Sequence, residues 1–491
     1  MKSLQIILTI LSDALLSSEI HAQKKIGVFI HGFQGNAEKW TAESGVPQAW
    51  ISGQNSALDD YVALNYETTD LMTATSRANL LSNFINSLQA KGDPVNDQWI
   101  LIGHSLGGLV ARDLYPSLRA YNFNIVAAIS VGGPSQGAMA TNVDKGQISY
   151  RLNLMKQRIE DAYAKKIHFL DLAVDILDLV NNTSNASKIA AIPDYLEIVR
   201  DSALGYASHI VEQDVKNLIG PEGSVISRIN SYSANNAQLH PPNYLAVIGA
   251  EKDKAPVRMA GYIFDVDPSL KDEVKMLEQV DNLRNDYFKL HEDLYDLSFN
   301  INYGANLTCR IQHPLDLWNK CQPFEDAFKR DRRYRELWKT AGNEIDQIGN
   351  IWSTFINAYR IKEISYQEFI PPCPDEDDPF PIMYDVLANI EIIEQDCSNS
   401  PNGEYRTKYM QMLVSDKHDG VVTTYSGLWH DDDSFGDLNN RLFDDVPADG
   451  GYNHFELRNH KRAYTLPGQF NEGDVNPSML FARNWLNDLN L

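Results

Sequence analysis

Apolar residues fall along the first half of the chain in short dense runs separated by stretches of helical spacing. Lys25-Ile26-Gly27-Val28-Phe29-Ile30, Val62 to Leu64, Trp99 to Ile102, Ile125 to Val131, Tyr244 to Ile248 and Tyr409 to Val414 each have the length and composition of a buried strand. The run from Leu106 to Leu118 repeats at helical spacing, and other helical patterns lie between the first strands. Strands alternating with helices predict an α/β fold with a mostly parallel sheet flanked on both faces by helices.

Two stretches interrupt this rhythm. From about residue 148 to 215, Ile148, Leu152, Met155 and Ile159, then Leu170, Val174 and Leu177, recur at helical spacing and predict a helical cap, or lid, over about 148–220. Farther on, Met276, Val280, Leu283, Tyr287, Leu290, Leu294 and Leu297 alternate steps of four and three. Tyr334, Trp338, Ala341, Ile345, Ile348, Trp352, Phe355 and Tyr359 do the same. These two seams predict a long antiparallel helical hairpin, with Cys309 and Cys321 in its connection. The expected organisation is a leader over 1–22, a first core segment over 23–250 that includes the lid, a mainly helical insertion over 251–408, and a second core segment over 409–491.

The leader is read from Met1-Lys2 followed by Leu4, Ile6, Ile7, Leu8, Ile10 and Leu11, then small polar residues up to His21-Ala22-Gln23. This has the form of a secretory signal peptide, and its apolar stretch is too short to span a bilayer. A secreted or periplasmic protein follows. The four cysteines fit that compartment: local pairing, Cys309 with Cys321 and Cys373 with Cys397, is preferred among the three connectivities. A zinc site is the weaker alternative, because no C-x-x-C pair is present and only His313 lies near. The net charge of −23, from 66 acidic against 43 basic residues, repels polyphosphate backbones and argues against a nucleic-acid partner. The acidic clusters Asp375 to Asp378 and Asp431 to Asp433 read as solvated loops. Against a calcium-loop pattern the second has Phe435 and Leu442 where oxygen ligands are required.

Gly103-His104-Ser105-Leu106-Gly107 lies between the Trp99–Ile102 strand and the Leu106–Leu118 helix. A strand, a sharp turn and a helix around G-x-S-x-G form a nucleophile elbow, which lifts a serine hydroxyl above the sheet. A serine is a poor nucleophile at neutral pH and requires an imidazole base oriented by a carboxylate; behind an elbow these follow in the order acid, then histidine. Asp419 is the acid candidate, after an apolar run and before Gly420-Val421-Val422, with Asp416 as competitor. His454, after Gly450-Gly451, is the base candidate, with His460 as competitor. His31 and His104 belong to turns that shape the site, His418 abuts the acid, and His430 beside three aspartates suits a surface ion pair. The oxyanion requires two amide donors: Leu106, following the nucleophile, and Phe33, after His31-Gly32, with Gln34 and Gly35 next.

Together these residues resemble the secreted bacterial lipases of the α/β-hydrolase superfamily. The resemblance is carried by His31-Gly32-Phe33, the elbow with Gly108-Leu109-Val110-Ala111-Arg112, Gly132-Gly133-Pro134-Ser135-Gln136-Gly137, Asp419-Gly420-Val421-Val422 and Asn453-His454. Pro221-Glu222-Gly223-Ser224 to Ile229-Asn230 resembles the segment where that family's chain leaves its lid. It implies hydrolysis of fatty-acyl esters through an acyl-serine, a lipid or ester substrate, and transient contact of the lid with a lipid surface. Ser135 departs from the histidine that many relatives carry there, and the insertion is foreign to typical members. The chemistry needs no cofactor; a structural calcium near the catalytic histidine occurs in some relatives, with Glu456 matching one ligand. The insertion is read as a structural element or as a docking arm for a protein partner. An acyltransferase or deacylase acting on lipidated glycans or proteins, and a non-catalytic exported binding protein, are the alternatives.

Overall fold

A computed structural model describes residues 23–52, 55–71, 73–142, 145–164, 212–232, 238–250, 289–312, 320–347, 359–370, 404–415, 417–430, 439–443, 454–459 and 475–489, together with Asn236, Asn350, Trp352, Ser353, Ile356, Tyr452 and Leu491. The described strands are β1 (Lys25–Ile30), β2 (Asp60–Leu64), β3 (Gln98–His104), β4 (Ile125–Val131), β5 (Tyr244–Gly249), β6 (Tyr359–Ile370), β7 (Glu404–Ser415) and β8 (Asn440–Phe443). Six of them form one sheet in the order β2-β1-β3-β4-β5-β8, and every neighbouring pair is parallel.

A parallel sheet must be covered on both faces, because each strand sends alternate residues to opposite sides. Ile26, Val28 and Ile30 of β1 join Leu80 and Phe84 of α2 (Ala74–Gln89), Leu109 and Leu114 of α3 (Leu106–Ala120), and Ile226 and Ile229 of α6 (Ser224–Asn230). On the other side Phe29, Ile100, Ile102, Ile129 and Val247 pack with Trp40, Trp50 of α1 (Val46–Ile51), and Met479, Ala482 and Leu486 of α9 (Pro477–Asp488). The fold is that of an α/β-hydrolase: a parallel sheet between helical layers. Asp113 of α3 ties one layer together, accepting from Arg77 of α2 at 2.7 Å and from Arg228 of α6 at 2.5 and 2.9 Å.

Of the expected lid, α4 (Lys145–Ala164) and α5 (Gln213–Ile219) are helical, while Leu170, Val174 and Leu177 lie outside the described residues. The hairpin consists of α7 (Leu290–Gln312) and α8 (Gln322–Asp346), joined by a Cys309–Cys321 disulfide. Stacked pairs His291–Trp338 and Tyr295–Tyr334, then Phe299 against Phe328, run in opposite directions along the two helices, which makes them antiparallel. Met276 to Tyr287, Cys373, Cys397, both acidic clusters and the leader lie outside the described residues.

Three expectations change. First, the α7 side of the seam is shifted by one residue: His291 and Tyr295 are buried and stacked on α8, whereas Leu297 is exposed. The seam also carries polar groups, with Ser298 Oγ and Asn302 Nδ2 both donating to Asp331 Oδ2 at 2.6 Å, so apolar spacing alone does not mark it. Second, α8 ends at Asp346, and Tyr359 opens a strand instead of closing the helical seam. Third, the Tyr409–Val414 run belongs to β7, which pairs antiparallel with β6 in a separate two-stranded sheet; residues 359–416 form their own compact unit. The core sheet takes β8 as its last strand. The last two residues of β8, Leu442 and Phe443, pair with Ile248 and Gly249 of β5.

Candidate active site

β3 ends at His104, and the chain turns at once into α3. Ser105 occupies the turn at φ 54°, ψ −127°, a left-handed conformation that costs a side-chain-bearing residue on the order of 1–3 kcal/mol. Two hydrogen bonds and a close crossing hold it there. Its N–H donates to Val131 O at 2.8 Å and its carbonyl accepts from Gly108 N at 3.0 Å. The strand and helix also cross so closely that a Cβ at Gly103 would lie 2.2 Å from Gly107 O, and one at Gly107 would lie 2.3 Å from Ile30 O.

The β1 loop arrives directly over this turn. A Cβ on Gly32 would sit 2.7 Å from Ser105 Cβ. The loop turns through Gln34, at φ 51°, and closes with Gly35 N–H donating to Gly32 O at 3.1 Å. Gly35 therefore spends its amide on the turn. Among the described residues, the amides of Phe33, Gln34 and Leu106 have no hydrogen-bond acceptor, and Leu106 stands at the first position of α3, where helix amides lack intrahelical partners. His31 fixes the loop: Nδ1 donates to Gly32 O at 2.9 Å, and Nε2 accepts from Tyr66 N at 3.3 Å. The Tyr66 ring stacks on His31 at 4.4 Å, and its hydroxyl donates to His31 O at 2.8 Å. Burial lowers the His31 pKa and raises that of the Tyr66 hydroxyl, which keeps both in the neutral forms these bonds require.

The acid and base candidates form a buried pair. Asp419 Oδ2 bonds His454 Nδ1 at 2.7 Å, while Oδ1 accepts from Val421 N at 2.9 Å and Val422 N at 2.7 Å. Both carboxylate oxygens are thus engaged, and the imidazole is left with Nε2 unassigned. The backbone repeats the link, with His454 N donating to Asp419 O at 2.8 Å. The pair lies against the end of β4, where a Cβ on Gly132 would be 3.0 Å from His454 Nδ1 and 3.2 Å from Asp419 Oδ2. It is also tied to the elbow: His104 Nε2 donates to His454 O at 2.9 Å. Burial and then the neighbouring His454 hold His104 well below the usual histidine range, so it acts as a neutral donor.

Ser105, Asp419, His454, Phe33 and Leu106 therefore all lie at the carboxyl ends of the central strands, with His454 bonded to His104 beside the serine, although 349 positions separate the serine from the histidine in sequence. Asp416 and His460 lie outside the described residues. Asp419 does not follow a core strand in sequence, as its apolar neighbours suggest. It stands beside the end of β5, where a Cβ on Gly249 would lie 3.2 Å from Asp419 Cβ, and the whole 251–416 stretch is spliced between the two. Ser135 is fully buried, and its hydroxyl has no partner among the described residues. Glu456 is buried just after the base, and no cluster of three or more potential metal ligands occurs among the described residues.

Two groupings escape a reading by sequence. His430 is stacked on His240, with Nε2 atoms 3.0 Å apart, and the Trp429 indole donates to His240 at 2.7 Å. Burial depresses the His240 pKa to about 4. The second is a bracket on the acid loop from Trp352 and Ser353; only the adjacency of His418 to Asp419 signals it.

A parallel sheet with a serine elbow and an opposing acid–base pair defines the α/β-hydrolase class. Comparison with protein families agrees: the profile described as PGAP1-like alpha/beta domain matches residues 23–212, less than half of the chain. That region spans β1 to β4 with the elbow and ends before the acid and base candidates. No curated protein matches the sequence. The match supports an α/β-hydrolase with hydrolase-type activity. Among the described residues, no helix is long and apolar enough to cross a membrane.

Proposed function

We propose that this protein is a secreted serine ester hydrolase, a lipase or esterase acting on fatty-acyl esters. The observation that carries this reading is the buried Asp419–His454 pair, bonded through His104 to the strained elbow that carries Ser105, with the Phe33 and Leu106 amides lacking acceptors among the described residues. His454 takes the proton of Ser105 as the hydroxyl attacks the ester carbonyl. The amides of Leu106 and Phe33 hold the oxyanion, and Asp419 stabilises the imidazolium. His454 returns the proton to the leaving alcohol, and a water molecule then repeats the cycle on the acyl-serine. The Cys309–Cys321 disulfide supports an exported setting.

A deacylase of lipidated glycans or proteins is the second reading. It is favoured by the splicing of the helical insertion into the acid-bearing loop, where a bulky partner would meet the site. Hydrolysis of p-nitrophenyl esters of increasing chain length tests the serine mechanism that both readings share. Ser105→Ala should lose about 10⁴-fold or more in kcat. A long-chain optimum supports a lipase and a short-chain optimum an esterase. Turnover unchanged in Ser105→Ala contradicts the mechanism.

A further inference from the structure

The loop that presents Asp419 is gripped from outside the sheet. Trp352, six residues beyond the end of α8, is buried, and its indole N–H donates to Gly420 O at 2.6 Å. Its neighbour Ser353 meets His418 Nε2 through Oγ at 2.7 Å. His418 Nδ1 accepts from Gly420 N at 3.1 Å, so the ring proton resides on Nε2 and is donated to Ser353. Gly420 thus has both its carbonyl and its amide fixed, one by Trp352 directly and the other by His418 held against Ser353. It adopts φ 95°, and the next two amides are the ones that hold Asp419 Oδ1.

We propose that Trp352, Ser353 and His418 are positioning residues for the acid, through which the helical insertion sets the orientation of the Asp419 carboxylate. The inference rests on the reading of Asp419 as the catalytic acid. None of the three need touch substrate. Loosening Gly420 tilts the turn that carries the amides of Val421 and Val422, and the Asp419–His454 bond is lengthened without losing any catalytic group. Such a defect lowers kcat and leaves KM in place, because these side chains bond the acid loop and not the serine or its amide donors.

The test uses the full chain with p-nitrophenyl butyrate. Trp352→Phe, which removes only the indole N–H, and Ser353→Ala should each lower kcat about tenfold with KM unchanged. Their pH profiles should show the acidic limb of kcat/KM moved to lower pH, since a carboxylate held less well stabilises the imidazolium less. His418→Leu should fall further. His418→Asn, whose side-chain oxygen can still accept from Gly420 N, should recover most of the loss. Thermal midpoints measured alongside exclude unfolding as the cause. If kcat and the acidic limb are unchanged in Trp352→Phe and Ser353→Ala while Asp419→Asn is crippled, the positioning role is overturned and the triad stands. If Asp419→Asn is itself fully active, the acid assignment fails and the positioning role with it.

Discussion

The sheet and the helical hairpin of this protein are stabilised on opposite terms. In the sheet, alternate strand residues enter two apolar layers, and the polar groups that are buried lie mainly at the strand ends, where the candidate site is. In the hairpin, the seam buries His291, Asn306 and Asp331, while Leu297, Ile301 and Ile311 face outward. Directional bonds to Asp331 and a disulfide supplement the buried Tyr295, Trp338 and Ala341 of the seam, a role polar groups do not have inside the sheet layers. Hydrophobic periodicity therefore finds the core where burial drives folding, and it misplaces the contact where a polar network does.

The contrast can be broken first on the sheet side. Asp113→Ala leaves Arg77 and Arg228 without their common acceptor and should destabilise the core by about 3 kcal/mol, measured by urea unfolding. Both arginines retain some solvent contact, which keeps the cost below that of a fully enclosed pair. On the hairpin side, Cys309→Ser with Cys321→Ser opens a loop of sequence separation 12 and should cost about 2–3 kcal/mol. Hydrogen exchange should show the loss confined to α7 and α8, with β1, β3 and β4 as protected as before.

The smallest expected effect sharpens the comparison through pH. His240 has a folded pKa of about 4, below the ordinary histidine value of 6.5, because burial disfavours its charge. The unfolded chain binds a proton there that the folded chain refuses, so this contribution is complete above pH 6.5 and is lost as pH falls toward 4. His31 and His104 shift in the same direction. His240→Gln should flatten the acid arm of the stability curve by about 2 kcal/mol.

Much of the site was legible because its pieces are local. The elbow, the Gly32-Phe33 loop and Asp419-Gly420 each declare themselves within a few residues, and chain order assigns their roles. The remainder was hidden for physical reasons. β8 is only four residues long, and two of them, Asn440 and Arg441, are polar, which gives no strand signal. β7 has the apolar content of a core strand but pairs outside the core sheet. Trp352 and His240 depend on partners 68 and 189 positions away, which periodicity does not report.

Ser105, as the proposed nucleophile, is open to direct chemical test. A fluorophosphonate reacts covalently with such a serine, and peptide mapping locates the adduct. A single adduct on Ser105 is expected, formed at a rate that falls steeply in His454→Ala and absent in Ser105→Ala. An adduct at another residue, or ester hydrolysis that persists after Ser105 is fully modified, would contradict the assignment.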